Sequence, residues 1–490
     1  MNSTSNTSDS VTYTRDKVRE GPVPLQTKIL QGFGALPGSH KDFAFNSLLL
    51  LYYTQILGVS ATATSMVLAT ALIIDAITDP LVGAYSDNLK TRLGRRHPLM
   101  YVAALPLGLM MYLLFSPPEG LSHNGLVAWL FGVTVILHLS FTFFVVPWNA
   151  LAAEFTDDYV ERTSIIAFRH LVGWIGGVIF GFSILSIVFA ATEEYPVGQL
   201  NPANFEPFGM IAGSLTVIWC LFTTHMTRKE VPYLLQPRQS VSAGLRGMLR
   251  QCFAALQSPN YRLIIVGYLT FIGIAGITGV FDSFMNTFFW GLAAEDLRWL
   301  TFTIIGAISA IASASLLQAR FLKQHLLLTC LFSVMVLSML KVTFRLIGWL
   351  PENGDPMLIV FLVAQDTLIV YCMTVGGIMF ASMIADLVDE QEIRTGMRQE
   401  GVFSSVLGFA SKASSSLGLI IGGLMLDHFI HFPRGEQPGE IDPDILFRLA
   451  IADGLLVNIF ILIPVILLFR YSLTRENLAD IQAQLKSRRT

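Results

Sequence analysis

Asp75 and Asp79 stand four residues apart in the apolar run IIDAITDPLVGAYSD. At that spacing they share one face of a helix. With a rise of about 1.5 Å per residue, Asp75 lies about 20 Å from the outer end of its span. Two carboxylates at that depth repel each other unless a cation or a proton joins them. Ionisable groups inside a span are costly, which makes them functional candidates. Pro80 and Gly83 can loosen the helix beside the pair. Hard oxygen ligands suit Na+ or H+, so the pair reads as a cation site. The competing reading is a pair of structural salt bridges to basic residues of other helices. Lys412 stands alone in GFASKASSSLG, far from either end of its apolar run. A buried ammonium needs a counter-charge, and the two aspartates are the obvious source.

Other polar residues lie in or beside apolar runs. Lys41 and Asp42 fall near the start of one, in GALPGSHKDFAF. A snorkelling surface pair accounts for them as well as a binding role does. The stretch FTFFVVPWNALAAEFTDD offers the Thr142 hydroxyl, a helix break at Pro147, the Trp148 ring and the Asn149 amide. Arg169 sits deep for a positive-inside anchor. Lys341 and Arg345, four apart toward the outer side, read as structural. Two short segments are dense in opposite charges. GAYSDNLKTRLGRR carries Asp87, Arg92, Arg95 and Arg96, and ADLVDEQEIRTGMRQEG carries Asp386, Asp389, Arg394 and Arg398. Such charges can pair across two halves of a transporter when an inner gate shuts, and separate when it opens. Plain topology anchoring is the alternative.

The elements that must position these groups are membrane spans. Of the 490 residues, 53% are hydrophobic and 14% charged, with mean hydropathy +0.58. Soluble proteins carry about 25% charged residues. A soluble enzyme, a nucleic-acid binder and a disordered chain are therefore poor readings. A net charge of −3 implies no polyanionic partner. Apolar segments fall at 38–58, 62–86, 98–116, 126–150, 164–191, 207–226, 261–291, 297–318, 325–349, 357–385, 402–430 and 446–470. Each is long enough to cross a hydrocarbon core of about 30 Å as a helix. With the N-terminal tail inside, 24 Lys and Arg fall on the inner side, while Arg298 and Arg434 are outside and Arg448 lies at the border. That bias places both ends in the cytoplasm.

The expected organisation is a polar N-terminal tail at 1–36, one six-helix half at 37–226, a linker at 227–260, a second half at 261–470 and a tail at 471–490. Within the linker, Leu245, Met248, Leu249, Cys252, Phe253 and Leu256 follow a helical apolar stripe. A surface-lying amphipathic helix and an ordinary packed linker helix fit it equally. Residues 1–36 lack the apolar core of a signal peptide, and the tripeptides at Asn2 and Asn6 read as chance glycosylation matches. Two joined six-helix halves are the architecture of alternating access. No Walker A stretch, HExxH or clustered nucleophile and base is present, so neither a primary pump nor an enzyme is expected. The four cysteines have no metal-ligand spacing, and His428 and His431 read as interfacial.

Four stretches carry a family resemblance: GFGALPGSHKDFAF, DAITDPLVGAYSDNLKTRLGRRHP, VPWNALAAEFTDDYVERTSIIAFRHL and MIADLVDEQEIRTGMRQEGVFSSVLGFASK. Together they resemble the glycoside–pentoside–hexuronide:cation symporters, the melibiose-permease-like branch of the major facilitator superfamily. The resemblance implies an all-α membrane protein of twelve transmembrane helices in two six-helix halves. It implies a cation site at Asp75, Asp79, Thr142 and Lys412. It implies a sugar site that includes Asp42 and Arg169, with Lys41, Trp148 and Asn149 nearby. Melibiose permeases carry a second sugar-binding aspartate just before the helix-four proline, and an aromatic residue two positions after it. Here those positions hold Val145 and Asn149, with Trp148 displaced by one. A similar VP-aromatic-x-AL stretch occurs in the sodium-dependent lysophospholipid symporters. The expected function is therefore Na+- or H+-coupled uptake of a sugar or glycoside, with a lysolipid or other amphiphile as the alternative. No cofactor beyond the coupling ion is expected. The expected form is a monomer in the inner membrane.

Overall fold

The computed structural model describes residues 13–14, 17, 19, 21–234, 236–237, 259–395 and 400–471. The linker stripe at 245–256, the tail at 472–490 and Arg398 lie outside the described residues. Among the described residues, eleven helices are long and apolar enough to cross a membrane. In chain order they are α2 Ala61–Asn88, α3 His97–Leu114, α4 His123–Glu154, α5 Val160–Val188, α6 Pro202–Tyr233 and α7 Pro259–Phe289. Then come α8 Ala294–Arg320, α9 Lys323–Leu346, α10 Pro356–Asp389, α11 Leu407–Ile430 and α12 Pro443–Phe469. Before them runs α1, residues 25–56, a helical path assembled from α-, 3-10- and π-helical pieces. Among the described residues, one two-residue antiparallel pairing joins Tyr13–Thr14 to Gln236–Pro237.

The interruptions of α1 follow from its sequence. Gly32, Gly34, Pro37 and Gly38 crowd its first half, and glycine and proline disfavour an unbroken helix. The helix begins at Leu25, earlier than hydropathy alone places it. The reason is that its polar residues turn inward. Thr27, Gln31 and His40 are buried, and Thr27 Oγ1 donates to Glu230 Oε1 at 2.7 Å. Serine and aspartate caps set several other starts. Ser60 accepts from the Ala63 N–H, Ser122 from Gly125 and Asp158 from Glu161. π-Helical turns interrupt α1, α5, α7, α11 and α12. The exterior is apolar, with Val102, Leu105, Ile179, Ile187, Leu316 and Phe469 exposed, as lipid contact requires.

Two hydrophobic cores form. One gathers residues almost wholly from 23–234, the other almost wholly from 261–471. Helix α11 of the second group lies against α7 and also against α2 of the first. Gly423 permits the second contact. A Cβ there would stand 2.6 Å from the Ser65 side chain and 2.9 Å from the Ala61 carbonyl. That close approach carries Lys412, farther along α11, up to the α2 carboxylates.

At the end of the bundle remote from the chain termini, hydrogen bonds join the two groups of helices. Asp427 accepts from the Thr62 N–H at 2.8 Å, and Gln55 Nε2 donates to the Pro433 carbonyl at 3.0 Å. Arg434 Nη1 donates to the Gly58 carbonyl at 3.3 Å.

Candidate cation and substrate site

Asp75 is buried on α2, and Asp79 lies one turn farther along. Lys412 Nζ donates to Asp75 Oδ2 at 2.8 Å and to Asp79 Oδ2 at 2.5 Å. Thr142 of α4 sits on the opposite oxygens, its Oγ1 2.6 Å from Asp75 Oδ1 and 3.0 Å from Asp79 Oδ1. A hydroxyl has one proton, so Thr142 serves one carboxylate at a time. The four residues that the sequence nominates therefore meet at one point. The ammonium comes from the other core, so the cluster also ties the two groups of helices together. Two carboxylates and one ammonium leave a formal charge of −1.

His138 is a fifth member that sequence reasoning missed. It is buried, with Nδ1 3.7 Å from Asp75 Oδ2, beyond hydrogen-bond range. Its ring meets Phe45 edge-on at 5.3 Å. The signal was available: it is an ionisable residue inside a span, one helical turn before Thr142.

The residues nominated for the substrate divide into two groups. Arg169 lies over the Trp148 ring, its Cζ 3.8 Å from the centroid, and it donates to Asn149 Oδ1. Trp148 is buried. Its Nε1–H donates to the Gln31 carbonyl at 2.8 Å, and Gln31 Nε2 donates back to the Trp148 carbonyl at 3.2 Å. Its ring therefore serves α1–α4 packing and carries the guanidinium. A Cβ at Gly34 would stand 2.1 Å from that indole nitrogen, so only glycine admits the ring there. Asp42 belongs to the other group. Its side chain is 66% exposed and sits 3.3 Å from Lys41 Nζ. Lys41 lies over the rings of Phe45 and Phe141 at 5.2 and 5.1 Å. Described contacts join Arg169 to Asn149 and Trp148, and Asp42 to Lys41, without linking the two groups.

Among the described residues, several of the charges nominated as gates find partners within their own helix group. Arg95 Nη2 and Arg96 Nε donate to Glu154 Oε1 at 2.9 and 2.7 Å. Arg96 also pairs with Asp87 and donates to Ser86 Oγ at 2.8 Å. Arg92 is exposed. Lys323 Nζ holds both oxygens of Asp386 at 2.9 and 2.7 Å, and Asp389 is half-buried nearby on α10. Arg394 falls on a described helix, but its side chain lies outside the described residues, as does all of Arg398. Glu154 and Lys323 are partners that the sequence alone did not single out. Lys341 and Arg345 are satisfied internally. Lys341 pairs with Asp366 at 2.9 Å, and Arg345 donates to Asn353 Oδ1 at 2.5 Å.

Helices that span a membrane in two packed groups, with an ion cluster between them, make this chain an integral membrane transporter of the major facilitator fold. Residues 30–475 match the family model of the MFS/sugar transport proteins, and the chain belongs to that family. It is similar to the putative glycoside/cation symporter YagG of Escherichia coli (strain K12), at 24% identity over 470 residues covering 94% of this chain and 95% of the relative. It is similar to the sodium-dependent lysophosphatidylcholine symporter 1 of Xenopus tropicalis, at 23% identity over 475 residues covering 90% and 87% of the two chains. The crystal structure of the nucleoside transporter NupG shares the fold, with a TM-score of 0.61 at 15% identity, covering 91% of this chain and 99% of that one. The family and these likenesses are those of transporters, not enzymes.

Proposed function

We propose that this protein is a symporter that couples the inward flow of Na+ or H+ to uptake of a sugar or glycoside by alternating access. One observation carries the reading. The Lys412 ammonium lies between Asp75 and Asp79 with Thr142 on the far side, and it reaches there from the other half. An incoming cation takes the ammonium's place against the same oxygens. Lys412 then relaxes, the tie between the halves is released, and the bundle rocks. The similarity to a putative glycoside/cation symporter supports coupling, and the family description supports a sugar. Arg169 with Asn149, and Asp42 with Lys41, supply donors and acceptors for hydroxyl groups. The hydrogen bonds that join the halves at the remote end support a state closed outward. The halves are 37–226 and 261–470, both termini are cytoplasmic, and the chain works as a monomer in the inner membrane.

A second reading, uptake of a lysolipid or other amphiphile, draws on two facts. Val145 leaves the pocket one carboxylate poorer, and one relative is named a lysophosphatidylcholine symporter. The deciding experiment is uptake into proteoliposomes, with Na+ and pH gradients imposed separately and labelled methyl glycosides and lysophosphatidylcholine offered in parallel. Glycoside accumulation driven by either gradient, lost in Asp79→Asn, supports the first reading. Gradient-driven lysolipid uptake with no glycoside uptake transfers the reading to the second.

A further inference from the structure

At the remote end lies a cavity of about 230 Å³ between the two halves. Asp282 and Asn286 of α7 face it from one side and Ser47 of α1 from the other, while Gln199, before α6, closes it. Phe43, next in the chain to Asp42, forms part of its wall. None of these polar residues belongs to the cation cluster.

Two independent features mark it as built for a ligand. The first is Gln199. Its side chain is 1% exposed, and Nε2 donates to the Leu292 carbonyl at 2.8 Å, yet Oε1 is buried with no hydrogen-bond partner. A buried amide oxygen left unpaired costs about 1–3 kcal/mol. Gln199 lines the cavity, so a small turn of its side chain would let a bound hydroxyl satisfy that oxygen. The second is Asp282, a carboxylate inside a span whose side chain opens to the cavity and which, among the described residues, takes one long 3.4 Å hydrogen bond, from Asn286 Nδ2. Such an ionisable group in a span marks a substrate path more often than a structural need.

We propose that this cavity binds one neutral sugar ring of the transported glycoside, beside Asp42. The inference rests on the sugar reading given above. Asp282 and Gln199 Oε1 accept from ring hydroxyls, Asn286 and Ser47 donate, and the Phe43 ring covers an apolar ring face. The volume equals the liquid share of about eight waters, at about 30 Å³ each, which is room for one ring and not two. Charge sets the selectivity. Asp282 is the one charged residue among the described residues that line the cavity, so its wall carries a formal charge of −1. A hexuronide or a phosphate-bearing ligand is therefore repelled, and a neutral hexose or pentose ring is admitted.

The test is equilibrium binding of tritiated methyl glycosides (glucoside, galactoside, xyloside and glucuronide) to the full chain in nanodiscs. Asp42→Ala/Arg169→Ala removes the polar groups nominated for the substrate. In that background at least one neutral glycoside still binds, and adding Asp282→Asn or Gln199→Leu weakens it at least tenfold. The glucuronide stays unbound. Each variant is kept only if it elutes as a monodisperse peak with wild-type helicity, and Asp282→Glu serves as the charge-retaining control. If the wild type binds a glycoside but neither cavity substitution moves residual binding, or none remains without Asp42 and Arg169, this inference alone is overturned. If the wild type binds none of the panel, the sugar reading fails and takes this inference with it.

Discussion

Lys412→Ala removes the group that occupies the proposed cation position. At separations of 2.8 and 2.5 Å, an effective dielectric of about 20 gives roughly 6 kcal/mol of gross attraction to each carboxylate. Desolvation offsets most of it. Measured truncations of buried hydrogen-bonded charge pairs fall at about 2–5 kcal/mol. The Lys412 side chain is 29% exposed, which argues for the lower end, about 2 kcal/mol. If the cation must displace the ammonium, that amount no longer opposes its binding. At about 1.4 kcal/mol per decade, the variant binds the coupling cation roughly thirtyfold more tightly. Uphill substrate accumulation falls at the same time, because a cation held that much more tightly is released more slowly on the inner side. The assay is cation-dependent thermal stabilisation of the purified protein, titrated with Na+ at several pH values, beside proteoliposome uptake. An unchanged or weaker isotherm, with intact accumulation, refutes displacement and leaves Lys412 a structural residue.

Three further outcomes are expected. Asp75→Asn removes a cation ligand without adding a charge, so cation-driven accumulation is abolished while expression and elution stay normal; wild-type accumulation would remove Asp75 from the site. Arg169→Lys keeps the charge but gives up the planar stacking on Trp148, worth about 0.5–2 kcal/mol, so the substrate KM rises roughly threefold to thirtyfold with little change in cation affinity. Glu154→Gln removes the carboxylate charge shared by Arg95 and Arg96, whose side chains are 11% and 7% exposed; loss of about 3 kcal/mol of stability follows, read as a lowered melting temperature with and without substrate.

Much of the candidate cation site was legible because charge inside an apolar run is conspicuous. Asp75, Asp79 and Lys412 announce themselves that way, and Thr142 came from the family resemblance. His138 was passed over although the same rule applies to it, because a neutral imidazole blends into an aromatic stretch. The start of α1 was misjudged for the opposite reason. Thr27, Lys28 and Gln31 lower the local hydropathy, yet they turn toward protein rather than lipid, which a sum over residues does not register. Trp148 was read as a face for substrate. Its dependence on Gln31 and Gly34, more than a hundred residues away in the chain, exists only once α1 and α4 are packed. The partners of Lys341 and Arg96 were equally hidden, since nothing local ties Asp366 or Glu154 to them.

The ammonium lodged between the α2 carboxylates also decides where membrane voltage acts. With Lys412 in place the unloaded cluster carries a formal charge of −1, and one bound monovalent cation brings it to zero. Each elementary charge moved across a full field of 100 mV is worth about 2.3 kcal/mol. On the proposed coupling with one cation, the loaded cluster together with Lys412 adds no net charge to the delivery stroke. The unloaded one moves as an anion, and an inside-negative potential pushes its binding site back toward the outside. In such a carrier, polarisation speeds the return stroke and leaves the delivery stroke alone.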